Sequence, residues 1–171
     1  MRAPLPIRLL PDATVVNLAT LWGLGNLRAP GTWGSVAGLL WFTVLSPQLG
    51  ELGLLLMTGL LVPVAVWFCD EAEWRLQRHD PGCVILDEFI ALPLCFVALT
   101  PVLQGGRTWL ILLLGFLLFR LFDILKPPPI RQLQRLPGGL GVVVDDLAAA
   151  LATCITLHLM VHFLPGWFWP A

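Results

Sequence analysis

The chain has 171 residues, 57% of them hydrophobic, with 10 Lys and Arg against 11 Asp and Glu. At 12% charged residues it carries about half the load of a water-soluble domain, for which about a quarter is usual. The formal net charge of −1 excludes the basic face that a nucleic-acid partner needs.

The first 13 residues, MRAPLPIRLLPDA, lack the long apolar core and small-residue cleavage site of a secretory signal, so none is expected there. Residues 14–27 are apolar but too short to cross a bilayer and predict an interfacial or re-entrant helix. Five longer apolar runs follow, at residues 35–49, 52–69, 84–103, 109–125 and 142–164. About 20 residues cross the hydrocarbon core, with about 17 as a lower limit. The last three runs reach that length, the first is short, and the second contains Pro63. The prediction is one all-α domain over residues 1–171: a polytopic helical membrane bundle of about five spans plus the short N-terminal helix.

Punctuation falls on one side of such a bundle. Ala29-Pro30-Gly31 precedes the first run, His79-Asp80-Pro81-Gly82 the third, Lys126-Pro127-Pro128-Pro129 ends the fourth, and Pro137-Gly138-Gly139 precedes the fifth. The same side collects Arg2, Arg8, Arg28, Arg75, Arg78, Arg120, Lys126, Arg131 and Arg135, leaving only Arg107 opposite. The positive-inside rule then predicts that this face is cytoplasmic.

Acids gather there too. Asp87 and Glu88 open the third run, Asp123 closes the fourth, and Asp145 and Asp146 open the fifth. Ionisable groups at the edge of apolar spans are functional candidates, and clustered carboxylates suit a hard cation. Neighbouring positions on a helix differ by about 100°, so one of Asp87 and Glu88 can face a metal and the other the groups around that metal or a basic partner. Asp145 and Asp146 lie one turn past a glycine cluster, where a helix N-terminus stabilises acids and binds phosphate. Arg120, Asp123 and Lys126 share a broad helix face, as an ion-pair ladder or as a cation and anion site. Arg28, Thr32 and Ser35, beside Gly31 and Gly34, form a basic, hydroxylic loop of the kind that approaches phosphate. His79 and Asp80 are loop candidates for proton transfer or plain surface residues. His158 and His162 are one turn apart but lie towards the opposite end, which favours a structural role.

Cys69, Cys83, Cys95 and Cys154 show neither paired metal spacing nor reason to expect disulfides. Cys69 and Arg75 match the C-x5-R spacing of cysteine phosphatases. The intervening Asp70, Glu71 and Glu73 oppose both a thiolate and a bound phosphate.

The stretches RAPGTWGS at 28–35, HDPGCVILDEF at 79–89, FRLFDILKPPPI at 119–130 and GGLGVVVDD at 138–146, in this order, resemble the phosphatidylglycerophosphatase A family. The resemblance implies a Mg²⁺-dependent enzyme of the bacterial inner membrane, active at the cytoplasmic face. Such an enzyme removes the terminal phosphate of phosphatidylglycerophosphate to give phosphatidylglycerol in phospholipid biosynthesis. Carried to matching positions, it implies a functional set of Asp80, Asp87, Glu88, Asp123, Asp145, Asp146, Lys126 and Arg131. The expected assignment is catalysis by Asp80, Asp87, Asp145 and Asp146; metal binding by Asp87, Glu88, Asp123, Asp145 and Asp146; and substrate binding by Arg28, Thr32, Ser35, Lys126 and Arg131. The expected partners are the lipid substrate and membrane lipid, with oligomeric state open. A water nucleophile and an aspartyl-phosphate intermediate both fit the acids. Phospho-alcohol transfer is the enzymatic alternative, but its D-G-x-x-A-R signature is missing. A cation-coupled transporter is the alternative from another class; it would place acids near the bilayer midplane on broken helices.

Overall fold

A computed structural model describes residues 10–169; Arg2 and Arg8, two of the cations counted above, lie outside the described residues. The described chain is helical, with no strand. A short helix, α1 (Asp12–Ala19), and a 3-10 turn (Leu24–Asn26) match the expected N-terminal segment. They lead to α2 (Pro30–Leu76), 47 residues long and started by Pro30, whose fixed φ and missing N–H suit a first helical turn.

A straight helix of that length would reach about 70 Å. Instead both ends of α2 meet the same partner, α3 (Leu86–Ala91). Near its start, a Cβ placed on Gly34 would lie 2.9 Å from Ile85 Cβ, and one on Gly38 2.8 Å from the Phe89 carbonyl oxygen. Near its end, Ala65, Cys69 and Ala72 share an apolar cluster with Ile90 and Val142. The reversal is at Gly50, whose φ of 63° and ψ of −177° are non-helical. Thus α2 is a helical hairpin, and its two arms, 30–49 and 51–76, correspond to the first two predicted runs. Helix continues through Pro63 and on to Leu76, beyond the end of the apolar run at residue 69, so the acidic 70–75 stretch forms the last turns of this arm.

The third run departs from the expected clean helix. After α3 come a 3-10 segment (Leu92–Phe96) and α4 (Thr100–Gly105). Pro93 and Pro101 remove backbone donors, and Ala98 takes a left-handed φ of 59°. Irregular backbone is tolerated at membrane depth only inside protein; accordingly Ala91, Leu92, Cys95, Phe96 and Leu99 are buried. The Ala98 N–H donates to Glu51 Oε1 at the hairpin turn, 2.9 Å away.

The remaining elements are α5 (Thr108–Leu125), α6 (Ile130–Leu133), α7 (Gly139–Phe163) and α8 (Pro165–Phe168). Helix α5 buries Ile111, Gly115, Phe119 and Asp123, a stripe at four-residue spacing, and exposes Leu113, Leu117 and Leu121. Helix α7 buries Ala149, Ala150 and Thr153 and exposes Leu151, Ile155 and Leu159. Over residues 149–155 of α7 small and polar side chains point in and large aliphatic ones point out, the arrangement that lipid favours. Three helices, α2, α5 and α7, are long and apolar enough to cross a membrane. Exposed tryptophans mark both ends of the bundle: Trp22 and Trp33 at one, Trp109, Trp167 and Trp169 at the other, as in interfacial aromatic belts.

The close approach of α2 to α3 makes a specific demand on Gly38. Gly38→Ala puts a methyl group against the Phe89 carbonyl oxygen and should destabilise the detergent-solubilised protein by about 1–3 kcal/mol. Gly59→Ala, which meets nothing within 4 Å, should cause no loss. Thermal unfolding midpoints of the two variants check the contrast.

Candidate active site

Three elements bring their acids to one end of the bundle. Helix α3 supplies Asp87 and Glu88, in its first turn. The second turn of α7 supplies Asp145 and Asp146, and the last turn of α5 supplies Asp123. The start of α2 closes the group: a Cβ on Gly31 would clash with Glu88 Oε1 and lie 2.7 Å from Arg120 Nη1. A side chain there would have to move the ends of both groups.

Asp87, Glu88 and Asp146 are the innermost. Each offers a carboxylate oxygen, and these atoms lie within 4.8 Å of one another. Asp87 and Asp146 are 6% and 3% exposed. Asp87 Oδ1, Glu88 Oε2 and Asp146 Oδ2 are buried and have no hydrogen-bond partner among the described residues. Buried orphan acceptors of this kind are rare and costly, and like charges so close cannot all persist without a compensating cation. An all-oxygen donor set suits a hard divalent ion such as Mg²⁺, so these residues fit the metal the sequence suggested.

Two side-chain cations border the trio. Arg120 Nη1 lies 2.6 Å from Asp123 Oδ2 and 3.7 Å from Glu88 Oε1, while its buried Nε has no partner. Lys126 pairs with Asp145 and lies 3.9 Å from Asp123 Oδ1. Burial pulls the Lys126 pKa down, but its bond to Asp145 and the charges of Asp145, Asp123 and Asp146 outweigh that and hold it above the ordinary lysine value. The lysine therefore stays an ammonium. Asp145 also accepts the Asp146 N–H, at 3.1 Å, which fixes the two adjacent acids in different roles: Asp146 faces the trio, Asp145 holds the lysine.

Asp80 sits at the rim, exposed. Its Oδ2 accepts from Gln134 Nε2 at 2.9 Å, and its backbone N–H donates to Glu73 Oε1 at 2.5 Å. Thr32 is half-buried beside Gly31; the Ser35 hydroxyl donates to the Gly31 carbonyl at 2.8 Å. Arg28 and Arg131 are exposed and make no ion pair with the acids. His158 lies away from the cluster, its Nδ1 2.8 Å from the Cys154 carbonyl oxygen.

The C-x5-R decoy is dismantled by helix geometry. Cys69 is fully buried, and Arg75 turns to Asp12, Glu71 and the Leu10 carbonyl. Three residues of that region matter in ways the sequence reading missed. Asp70 accepts the Gly139 N–H at 3.1 Å, holding the start of α7. Glu73 anchors the 79–80 loop through Asp80 and through His79 Nδ1 at 2.8 Å. Gln134 ties Asp80 to the loop before α7. Asp70 and Glu73 were read only as acids opposing a thiolate, and Gln134 lies outside any motif, so no spacing pointed to these contacts. The contact of Arg120 with Glu88 was missed as well, since it joins two helices.

Residues 17–161 match the family model for phosphatidylglycerophosphatase A. The chain is similar to the phosphatidylglycerophosphatase A of Haemophilus influenzae, 34% identical over 149 residues, covering 86% of this chain and 88% of the relative. It is also similar to that of Escherichia coli, 33% identical over 138 residues, covering 80% and 76%. A third relative, from Bacteroides thetaiotaomicron, is 30% identical over 152 residues, covering 86% and 93%, and bears a provisional phosphatidylinositol-3-phosphatase name. No solved structure matches the chain. These matches do not favour the transporter alternative. They accord with the four quoted stretches and with the acid-lined end of the bundle: the chain belongs to the phosphatidylglycerophosphatase A family and is a phosphatidylglycerophosphate phosphatase.

Proposed function

We propose that this chain hydrolyses phosphatidylglycerophosphate in a Mg²⁺-dependent reaction, at the cytoplasmic face of a bacterial inner membrane, as a step of phospholipid biosynthesis. The observation that carries the metal is the trio of buried, unpartnered carboxylate oxygens on Asp87, Glu88 and Asp146. Those three residues would hold the ion, with Asp123 and Asp145 flanking it. Bound there, Mg²⁺ supplies positive charge to the phosphoryl oxygens as they take up charge in the transition state.

The chain's own residues do the rest. The Lys126 ammonium and the Arg120 guanidinium place two cations beside the carboxylates, where a phosphate dianion would otherwise be repelled. Asp123 and Asp145 orient them. Thr32 and the exposed Arg28 and Arg131 line the approach and meet the headgroup; Ser35, expected there from the sequence, is instead fully buried with its hydroxyl held by the Gly31 carbonyl. The aliphatic outer faces of α2, α5 and α7 accept the acyl chains. On this reading the two arms of α2, the broken third run, α5 and α7 make five traverses. The cytoplasmic assignment rests on the basic asymmetry: Arg28, Arg75, Arg78, Arg131 and Arg135 belong to the acid-bearing end, and Arg107 to the other.

Three outcomes are expected. First, purified protein should release inorganic phosphate from phosphatidylglycerophosphate, lose that activity in EDTA and regain it with Mg²⁺. Asp87→Asn, Glu88→Gln and Asp146→Asn should each lower kcat by about 10²–10³-fold while the protein still accumulates in the membrane; near-normal turnover in all three would place the site elsewhere. Second, Cys69→Ala should leave activity largely intact, and thiol alkylation should have little effect; chelator-resistant turnover that disappears with Cys69→Ala would reverse the assignment. Third, a reporter inserted after Arg131 should lie in the cytoplasm and one near Gly106 on the far side, read by membrane-impermeant labelling.

A further inference from the structure

Asp80 is the one exposed acid of the set, and contacts from two other elements place it. Its backbone is in the left-handed region, φ 46°, which non-glycine residues adopt sparingly, though Asp more readily than most. Two groups from different elements hold it there. Glu73, nearly buried on the last turns of α2, accepts its N–H and also pairs with the preceding His79. Gln134 donates to Oδ2. The Gln134 segment packs on the first turn of α7: a Cβ on Gly141 would lie 2.8 Å from the Gln134 carbonyl oxygen, one turn before Asp145. Asp80 is therefore tied to the segment that packs on the first turn of α7, one turn before Asp145, and its second oxygen Oδ1 has no hydrogen-bond partner among the described residues.

A carboxylate oxygen held at the mouth is an acceptor, and it would repel a phosphate. The part of the substrate that donates a hydrogen bond next to its phosphate monoester is the free hydroxyl of the headgroup glycerol. We propose that Asp80, positioned by Glu73 and Gln134, accepts a hydrogen bond from that hydroxyl and selects lipids whose terminal phosphate is carried on a hydroxylated headgroup. This rests on the phosphatase reading above and adds a specificity residue to it. Acceptance by a charged group makes the bond strong enough to discriminate, while solvent at the rim limits the gain to about tenfold.

The test compares phosphatidylglycerophosphate with an analogue whose headgroup glycerol is replaced by propanediol, lacking only the free hydroxyl. Phosphate release is measured from mixed micelles of each lipid with the full-length protein. Wild type should prefer the natural lipid by about tenfold in kcat/KM. Asp80→Ala should bring the ratio to near parity, by losing more on the natural lipid than on the analogue. Gln134→Ala, a change at a half-buried residue outside the apolar core, should lower the ratio in the same direction, and decides the matter if Asp80→Ala does not accumulate. A wild-type enzyme indifferent to the hydroxyl, or variants that lose equally on both lipids, would overturn the inference and leave the phosphatase reading standing. Wild-type protein that hydrolyses neither lipid would overturn the reading itself.

Discussion

Mutual repulsion among carboxylates confined at one end of an apolar bundle is the constraint on which the rest of this structure depends. Asp87, Glu88 and Asp146 present oxygens within 4.8 Å of one another from two different elements. Such a group is unfavourable in isolation, so its surroundings must compensate it. Arg120 and Lys126 do part of this through Asp123, Glu88 and Asp145. Each of the three residues keeps one buried oxygen without a hydrogen-bond partner among the described residues, and carboxylates grouped in that way suit a hard cation. Binding charge and binding substrate are therefore the same problem in this fold.

Holding the acids together requires helices that approach closely without a large aqueous driving force. In lipid, association depends on packing and on small residues at the interfaces. Gly31, Gly34 and Gly38 bring one arm of α2 onto α3, and Gly139 brings α7 onto the other arm at Val66 and Asp70. Gly115 admits the Phe96 ring. A methyl group at Gly31 would meet the Glu88 carboxylate and the Arg120 guanidinium directly, while at Gly34, Gly38, Gly115 and Gly139 it would push the packed elements apart. The small residues are thus part of the site, although none of them touches a ligand.

The polar supports at the rim follow a different logic. Asp70, Glu73 and Gln134 accept or donate single hydrogen bonds that fix the start of α7 and the 79–80 loop. They are spread along the chain and meet only because α2 folds back at Gly50 and returns its far arm to the acid-bearing end. The hairpin therefore sets not only the bundle but also the position of Asp80.

Much of this was legible in the residues themselves. Run length and the scarcity of charge specify apolar helices, and the one-sided placement of Asp87, Glu88, Asp123, Asp145 and Asp146 specifies a shared face, because up-and-down connectivity leaves few other arrangements. Lys126 and Asp123 were readable from local spacing. The broken third run was not: Pro93 and Pro101 were visible, but hydropathy alone treats residues 84–103 as one continuous span. Nor could the sequence choose between the members of each acidic pair. Adjacent residues on a helix point about 100° apart, and which of Asp145 and Asp146 faces the trio depends on how α7 is rotated against α3 and α5. That rotation is set by contacts among residues distant in sequence, as are the links of Glu73 to Asp80 and of Arg120 to Glu88. The sequence by itself determined which residues could be charged at which end; only the tertiary packing decided which of them meet, because contact between helices is a property of their shared interface.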